Sequence, residues 1–118
     1  MKVNIAESNA DFTQEIPFAF TVQPSDIGAV ADDYTFEGPL TIEGKVIHTG
    51  SCWRAEGVIR CEKSFVCDRC LKPCREAQEH HFSEEFRRTG DEMADEDTNL
   101  FEGDLIDLTE LVRDTVLA

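Results

Sequence analysis

The sequence predicts an α+β fold that is dominated by antiparallel β-strands and carries an amphipathic helix at its C-terminal end. Residues 34–48 and 53–60 alternate between apolar and polar side chains, as half-buried strands do, and the turn-forming residues between them predict a β-hairpin. Beyond residue 107, apolar side chains recur at helical spacing. We therefore expect a sheet that curls into an open barrel or a sandwich, with the helix closing one side.

Two stretches before the hairpin also have strand character. Residues 1–11 begin as a weak edge strand or an arm, and residues 16–22 alternate with the period of a half-buried strand. Pro17 favours a sheet edge for the second stretch, because proline cannot donate a hydrogen bond to a neighbouring strand. Gly44 and Gly57, inside the hairpin strands, indicate either bulges or a close approach of two backbones.

The last third of the chain contains two more strands, an acidic loop and the helix. Residues 77–86 alternate as a strand, and residues 100–106 form one more short strand. Between them, residues 89–99 hold five acids and no base, which predicts a mobile loop. Asp107, followed three residues later by Glu110, resembles a capping box and marks the start of the helix.

The size of the chain and its cysteines indicate a single cytoplasmic domain. With 118 residues the chain suits one domain, which we place at residues 1–118. No apolar run is long enough to span a bilayer, and the first residues lack a secretion signal. In a reducing cytoplasm the five cysteines are more typical of metal ligands or buried thiols than of disulfides.

The net charge of −14 is divided unevenly along the chain. Residues 1–44 carry eight acids and one base, residues 45–75 seven bases and three acids, and residues 76–118 fourteen acids and three bases. As a whole the chain repels nucleic acid, whose binding depends on Lys and Arg replacing counterions. The basic middle segment suits RNA and the acidic flanks suit a basic protein, although charge runs also form ordinary solvated faces.

Residues 59–75 form a cysteine-rich basic segment with four of the five cysteines and five of the eleven bases. Cys67 and Cys70 have the Cys-x-x-Cys spacing of half a zinc site. No second such pair follows, so zinc is a candidate ligand and no cofactor is certain; the alternative is a pair of free thiols on a turn. The candidate metal ligands are Cys61, Cys67, Cys70 and Cys74.

The same segment supplies the candidate RNA contacts, because its bases cluster on the turn and on the strand that leads to it. Salt screening over about 8–10 Å allows such a local patch to act beside acidic surroundings. The rival interpretation is that the acidic residues 76–107 bind a basic ribosomal protein or assembly factor. The candidate RNA-binding residues are Arg60, Lys63, Arg69, Lys72 and Arg75.

The sequence gives no support for an enzyme. The spacing of Cys67 and Cys70 also occurs in redox proteins, but there it opens a helix within a βαβ unit, which is not predicted here. His80 and His81 have no nucleophile at a recognisable spacing, and neighbours on a strand point to opposite faces. We therefore predict a binding protein without small-molecule substrate or membrane contact.

Two motifs resemble a known bacterial family. Cys67-Asp68-Arg69-Cys70-Leu71 follows a Gly-containing hairpin, and Ile106-Asp107-Leu108 precedes Leu111-Val112-Arg113. Over about residues 34–118 the chain resembles the YceD-type family of large ribosomal RNA subunit accumulation proteins, long classed as a domain of unknown function. The resemblance implies a cytosolic, non-enzymatic ribosome-biogenesis factor that is needed for normal levels of large-subunit ribosomal RNA (rRNA).

The resemblance also implies a longer chain. Members of the family usually continue past the final helix, many with a second cysteine group that would complete a metal site with Cys67 and Cys70. We therefore expect that this sequence is truncated before that region.

We expect one of two modes of action. In the first, the protein binds ribosomal RNA or a basic ribosomal protein. In the alternative, it is a zinc-stabilised protein-interaction module that does not contact RNA.

Overall fold

The computed structural model describes residues 1–6, 15–49, 52–66, 71–90 and 99–117. Cys67, Arg69 and Cys70 lie outside these residues, as does most of the acidic loop predicted at 89–99. The elements are β1 (Lys2–Asn4), β2 (Glu15–Val22), a 3-10 helix (Pro24–Ile27), β3 (Thr35–Phe36), β4 (Leu40–His48), β5 (Trp53–Val66), β6 (Pro73–Arg88), β7 (Asn99–Phe101), β8 (Leu105–Asp107) and α1 (Thr109–Leu117).

Antiparallel pairing dominates the structure, as predicted. Five strands form one sheet in the order β2-β4-β5-β6-β7, and β3 pairs with β5 beyond the end of β4. Within this sheet the short β6–β7 pair alone is parallel, and β1 and β8 form a separate antiparallel pair. Neither sheet is closed, so the α+β class is confirmed while the closure of a barrel is not.

The core lies on one face of the large sheet, where the alternation of apolar side chains is buried. Helix α1 covers this face with Val112 and Val116, which have no exposed surface, and the β1–β8 pair adds Val3 and Ile106. The predicted helix at the C-terminal end is therefore confirmed and packs against the sheet. In the described part of the chain no helix is long and apolar enough to cross a membrane.

A row of Phe18, Gly44, Gly57 and Phe82 crosses the four long strands. Gly44 lies directly opposite Gly57, and Phe18 and Phe82 are their partners on β2 and β6. The two rings lie over the glycines on the core face and stack with centroids 6.4 Å apart. Because the register skips no residue here, the glycines mark a close backbone approach and not a bulge.

The position of Pro17 agrees with the prediction from sequence. Strand β2 forms one edge of the large sheet, and Pro17 lies opposite Lys45 of its single neighbour β4. The missing N–H therefore has to face away from β4, since the pairing continues without interruption on both sides of the proline.

Three predicted boundaries were wrong. The strand predicted at 53–60 continues to Val66 and the strand predicted at 77–86 already starts at Pro73, which gives a hairpin of fourteen residue pairs. The strand predicted at 34–48 is interrupted and forms β3 and β4. The strand predicted at 100–106 is also divided, into β7 and β8, which belong to different sheets.

Candidate functional site

Lys63, a candidate RNA contact, is buried. Its side chain points to the core face and only 5% of the residue is exposed. The ammonium Nζ donates a hydrogen bond of 2.9 Å to the carbonyl of Val116 and lies 4.3 Å from the centre of the Tyr34 ring. The final carbonyls of a helix lack intrahelical partners, so Lys63 caps α1. Lys63 is therefore removed from the surface that could contact phosphate.

Arg60 and Arg75 are exposed but engaged with carboxylates. The Arg60 guanidinium lies 3.4 Å from a carboxylate oxygen of Glu43 and 3.5 Å from one of Glu79. Arg75 bridges to two further glutamates at 3.7 and 3.9 Å. Lys72 is exposed and forms no ion pair with another described residue. The four candidate bases that the structure describes thus do not form one patch of unpaired charges.

Two other bases on the outer face, the sheet face opposite α1, are also paired. The Lys45 ammonium lies 3.2 Å from Glu15 and 4.0 Å from Glu56, and Arg54 lies 3.5 Å from Glu85. Exposed pairs of this kind contribute only about 0–1 kcal/mol each to stability. They nevertheless neutralise the bases of the outer face, so this face is not a basic surface.

The candidate metal ligands Cys61 and Cys74 lie too far apart to share an ion. Cys61 pairs with Gln78 and Cys74 with Phe65, which places the two cysteines four rungs apart along the hairpin. Four rungs span roughly 13 Å, whereas two sulfurs on one zinc ion lie at most about 4.6 Å apart. Cys61 and Cys74 therefore cannot both bind one zinc ion, while Cys67 and Cys70 lie outside the described residues.

The surroundings of Cys61 also favour a neutral thiol. Burial raises the pKa of the Cys61 thiol, and the nearby charge of Lys63 lowers it by less. The pKa of His80 is lowered, mainly by burial and to a smaller extent by the charge of Lys63. The Nε2 atom of His80 lies 2.9 Å from the side-chain oxygen of Gln78. Within the described ranges, no three His, Cys, Asp or Glu side chains are grouped so that they could hold a metal ion.

An acidic groove lies between α1 and the edge of the large sheet. It has a volume of about 590 Å³ and brings together residues that are distant in sequence. Leu100, which is half-exposed, and Leu111 give the groove an apolar part. No local pattern in the sequence could have found it, because its walls come from four separate elements, β6, β7, β8 and α1. Its carboxylates belong to Glu84, Asp107, Glu110 and Asp114.

The family comparison covers the C-terminal half of the chain. A model of the large ribosomal RNA subunit accumulation protein YceD matches residues 55–118, which is more than half of the chain. The chain belongs to the YceD family. The matched part of this YceD-family chain runs from β5 to α1, and so includes Lys63, the long hairpin and the acidic groove. No curated protein and no solved structure matches the chain.

Proposed function

We propose that this YceD-family protein supports the accumulation of large-subunit rRNA as a non-enzymatic, cytoplasmic binding factor. We further propose that it acts by engaging a basic protein of the assembling large subunit. The observation that carries the choice of partner is the charge arrangement, in which carboxylates are in excess and the bases of the outer face are already paired.

The pairing of the bases reduces the positive charge that this surface offers to RNA. Phosphate binding gains its free energy from Lys and Arg replacing condensed counterions. Arg60 and Arg75 would first have to leave their carboxylates, and Lys63 would have to leave the core. A chain with a net charge of −14 repels RNA at long range and attracts a basic protein.

Cross-linking in cells tests this function. Loss of the protein is expected to lower large-subunit rRNA relative to small-subunit rRNA. The tagged full chain is expected to cross-link to a basic large-subunit protein, and the cross-link should survive ribonuclease treatment before capture. Unchanged rRNA levels would contradict the role, and a partner that ribonuclease releases would contradict direct protein binding.

Bases between β5 and β6 support a second candidate, direct RNA contact. Lys72, just before β6, is exposed and forms no ion pair with another described residue, and Arg69 lies between the two strands in the sequence. Changing Arg69, Lys72 and Arg75 to Gln should then weaken rRNA binding and reduce the salt slope by about one per lost phosphate contact. Equal losses on changing Lys2, Lys45 and Arg54 to Gln would indicate a general charge effect.

We also propose that a zinc ion stabilises the end of the β5–β6 hairpin, where these bases lie. Its ligands here would be Cys67, Cys70 and Cys74, and a bound ion would fix the end of the hairpin. Elemental analysis of the purified protein tests it. The zinc content should fall in Cys74→Ala and remain unchanged in the matched control Cys61→Ala.

A further inference from the structure

The peptide groups of alternate β6 residues face away from β5. The N–H of Glu37 donates to the carbonyl of Glu62 across a distance of 2.8 Å, so the peptide groups of Glu62 point towards β3. The N–H and C=O groups of successive strand residues point to opposite sides. The N–H and C=O of Cys61 therefore point towards its partner Gln78 on β6. The odd-numbered residues of β6 must then face the other side, where the Glu85 carbonyl accepts a bond from the Asn99 side chain.

Among the described residues, this side of β6 is an open sheet edge over most of its length. Strand β7 pairs with β6 only from Phe86 to Arg88, and no other described residue pairs with that edge. The open part is roughly 27 Å long. A row of free N–H and C=O groups of this kind is a template for an added strand. The residues that present it are Arg75, Ala77, Glu79, His81 and Ser83.

Carboxylates border this edge on both faces of the sheet. Glu76 and Glu84 lie on the core-side face and have no ion pair with a described residue, whereas Glu79 and Glu85 lie on the outer face and pair with Arg60 and Arg54. The side chains of an added strand would lie about 5 Å from these positions, where Lys and Arg are favourable.

The same charges disfavour a second copy of this chain as the added strand. Antiparallel pairing of two β6 strands centred on His80 would place Glu76 of each copy opposite Glu84 of the other. Like charges directly opposite each other destabilise a strand pair, and charged side chains on an edge are a common defence against self-association. In this register the edge therefore favours a strand of opposite charge over a second copy of itself.

We propose that the edge of β6 between Arg75 and Ser83 accepts, as an added strand, an extended segment of a basic protein that carries Lys or Arg at alternate positions. The inference rests on the proposed function, because it takes from it a basic protein as partner. It adds the location of the contact, its use of backbone hydrogen bonds and the alternating pattern that the partner segment must have.

Two matched proline variants test the backbone contact. Ala77→Pro removes one outward N–H of β6 without removing a bond to β5. Ala19→Pro is the control on the opposite sheet edge. Ala19 is exposed and lies two residues from Pro17 on β2, so its N–H also faces away from β4. The probe is a peptide of about ten residues that alternates Lys and Val, and binding to the full chain is followed by amide hydrogen exchange.

The proposal expects selective effects. The probe should slow exchange at the outward amides of β6, and Ala77→Pro should weaken its binding about tenfold, as expected for one or two lost hydrogen bonds. Ala19→Pro should change binding less than about twofold. Equal weakening by both prolines, protection of the β2 edge, or pairing of two β6 edges in place of probe binding would overturn the proposal.

A charge variant keeps the test decisive if Ala77→Pro fails to fold. Changing Glu76 and Glu84 together to Gln should weaken probe binding and flatten its salt dependence. The control is a variant in which Asp32 and Asp33 are both changed to Asn. These two residues lie in an exposed loop, and their replacement removes the same amount of charge. Equal effects of the two double variants would overturn the edge as the binding surface.

The edge and the proposed function can fail separately. If the probe protects no β6 amide while the full chain still cross-links to a basic large-subunit protein, the edge proposal is overturned and the function stands. If only rRNA cross-links, the protein-binding function is overturned, whatever the peptide does.

Discussion

The burial of Lys63 depends on groups that are far away in the sequence. Its ammonium is stabilised by the Val116 carbonyl at the end of α1 and by the ring of Tyr34. The alternation of β5 already contains a signal, since Lys63 has the same parity as Ile59 and Cys61 on the buried face. The signal is weak because the charged residues and cysteines beyond Arg60 blur the alternation, so only residues 53–60 are predicted as a strand and Lys63 is predicted at the surface.

Replacing Lys63 should therefore affect stability. Lys63→Ala removes the cap of α1 and the packing of the side-chain stem, and we expect a loss of about 2 kcal/mol in the free energy of unfolding. The matched control is Lys45→Ala on the outer face, with an expected loss below about 1 kcal/mol. Urea unfolding measures both variants, and equal losses would show that Lys63 is not a structural lysine.

At the scale of the elements, Asp107 links the start of α1 to the β1–β8 pair. Its carboxylate accepts a hydrogen bond of 2.9 Å from the N–H of Thr109, in agreement with the predicted helix start. Burial raises the pKa of Asp107, but the hydrogen bonds from Thr109 and the charges of the N-terminal amine and Lys2 together lower it below its ordinary value.

This lowered pKa predicts a loss of stability in acid. The unfolded chain binds the proton more readily than the folded one, so the contribution of the Asp107 carboxylate is complete above its unfolded pKa of about 3.9. It disappears as the pH falls through the lower folded pKa. The stability difference between wild type and Asp107→Ala should shrink in that range. Glu102→Ala serves as the control, and a difference independent of pH would contradict the assignment.

The close contact between β4 and β5 leaves no space for a side chain at position 44. A Cβ on Gly44 would clash with the Glu56 carbonyl and lie 2.8 Å from a ring atom of Phe18. We expect Gly44→Ala to lower the free energy of unfolding by about 1–3 kcal/mol. Ser83→Ala, at an exposed strand position, should remain within about 0.5 kcal/mol. Thermal unfolding compares them, and a neutral Gly44→Ala would contradict the close approach.

The elements that sequence patterns predicted are those whose signals are local. The β4–β5 hairpin, the edge position of Pro17 and the start of α1 follow from alternation, proline chemistry and capping. The length of the β5–β6 hairpin was missed because its distal strands contain charged and cysteine residues that weaken the alternation. The division of residues 100–106 between two sheets depends on tertiary pairing with β1 and β6, which no local pattern encodes.

At the scale of the whole molecule, the sequence predicted the charge imbalance but not its arrangement. Bases that are clustered in the sequence separate in the fold, because Lys63 turns inward and Arg60 and Arg75 pair with glutamates from neighbouring strands and a loop. Carboxylates that are distant in the sequence meet in the groove beside α1, and those of β6 line its open edge. This redistribution favours a basic protein partner over RNA.

The most direct test of this account is a binding measurement with separated components of the large subunit. The purified full chain is titrated with RNA-free large-subunit proteins and, separately, with protein-free large-subunit rRNA, at several salt concentrations. The account predicts binding to a basic protein in the absence of RNA, with an affinity that falls as salt rises. Binding to the rRNA alone, with no affinity for any of the proteins, would contradict it.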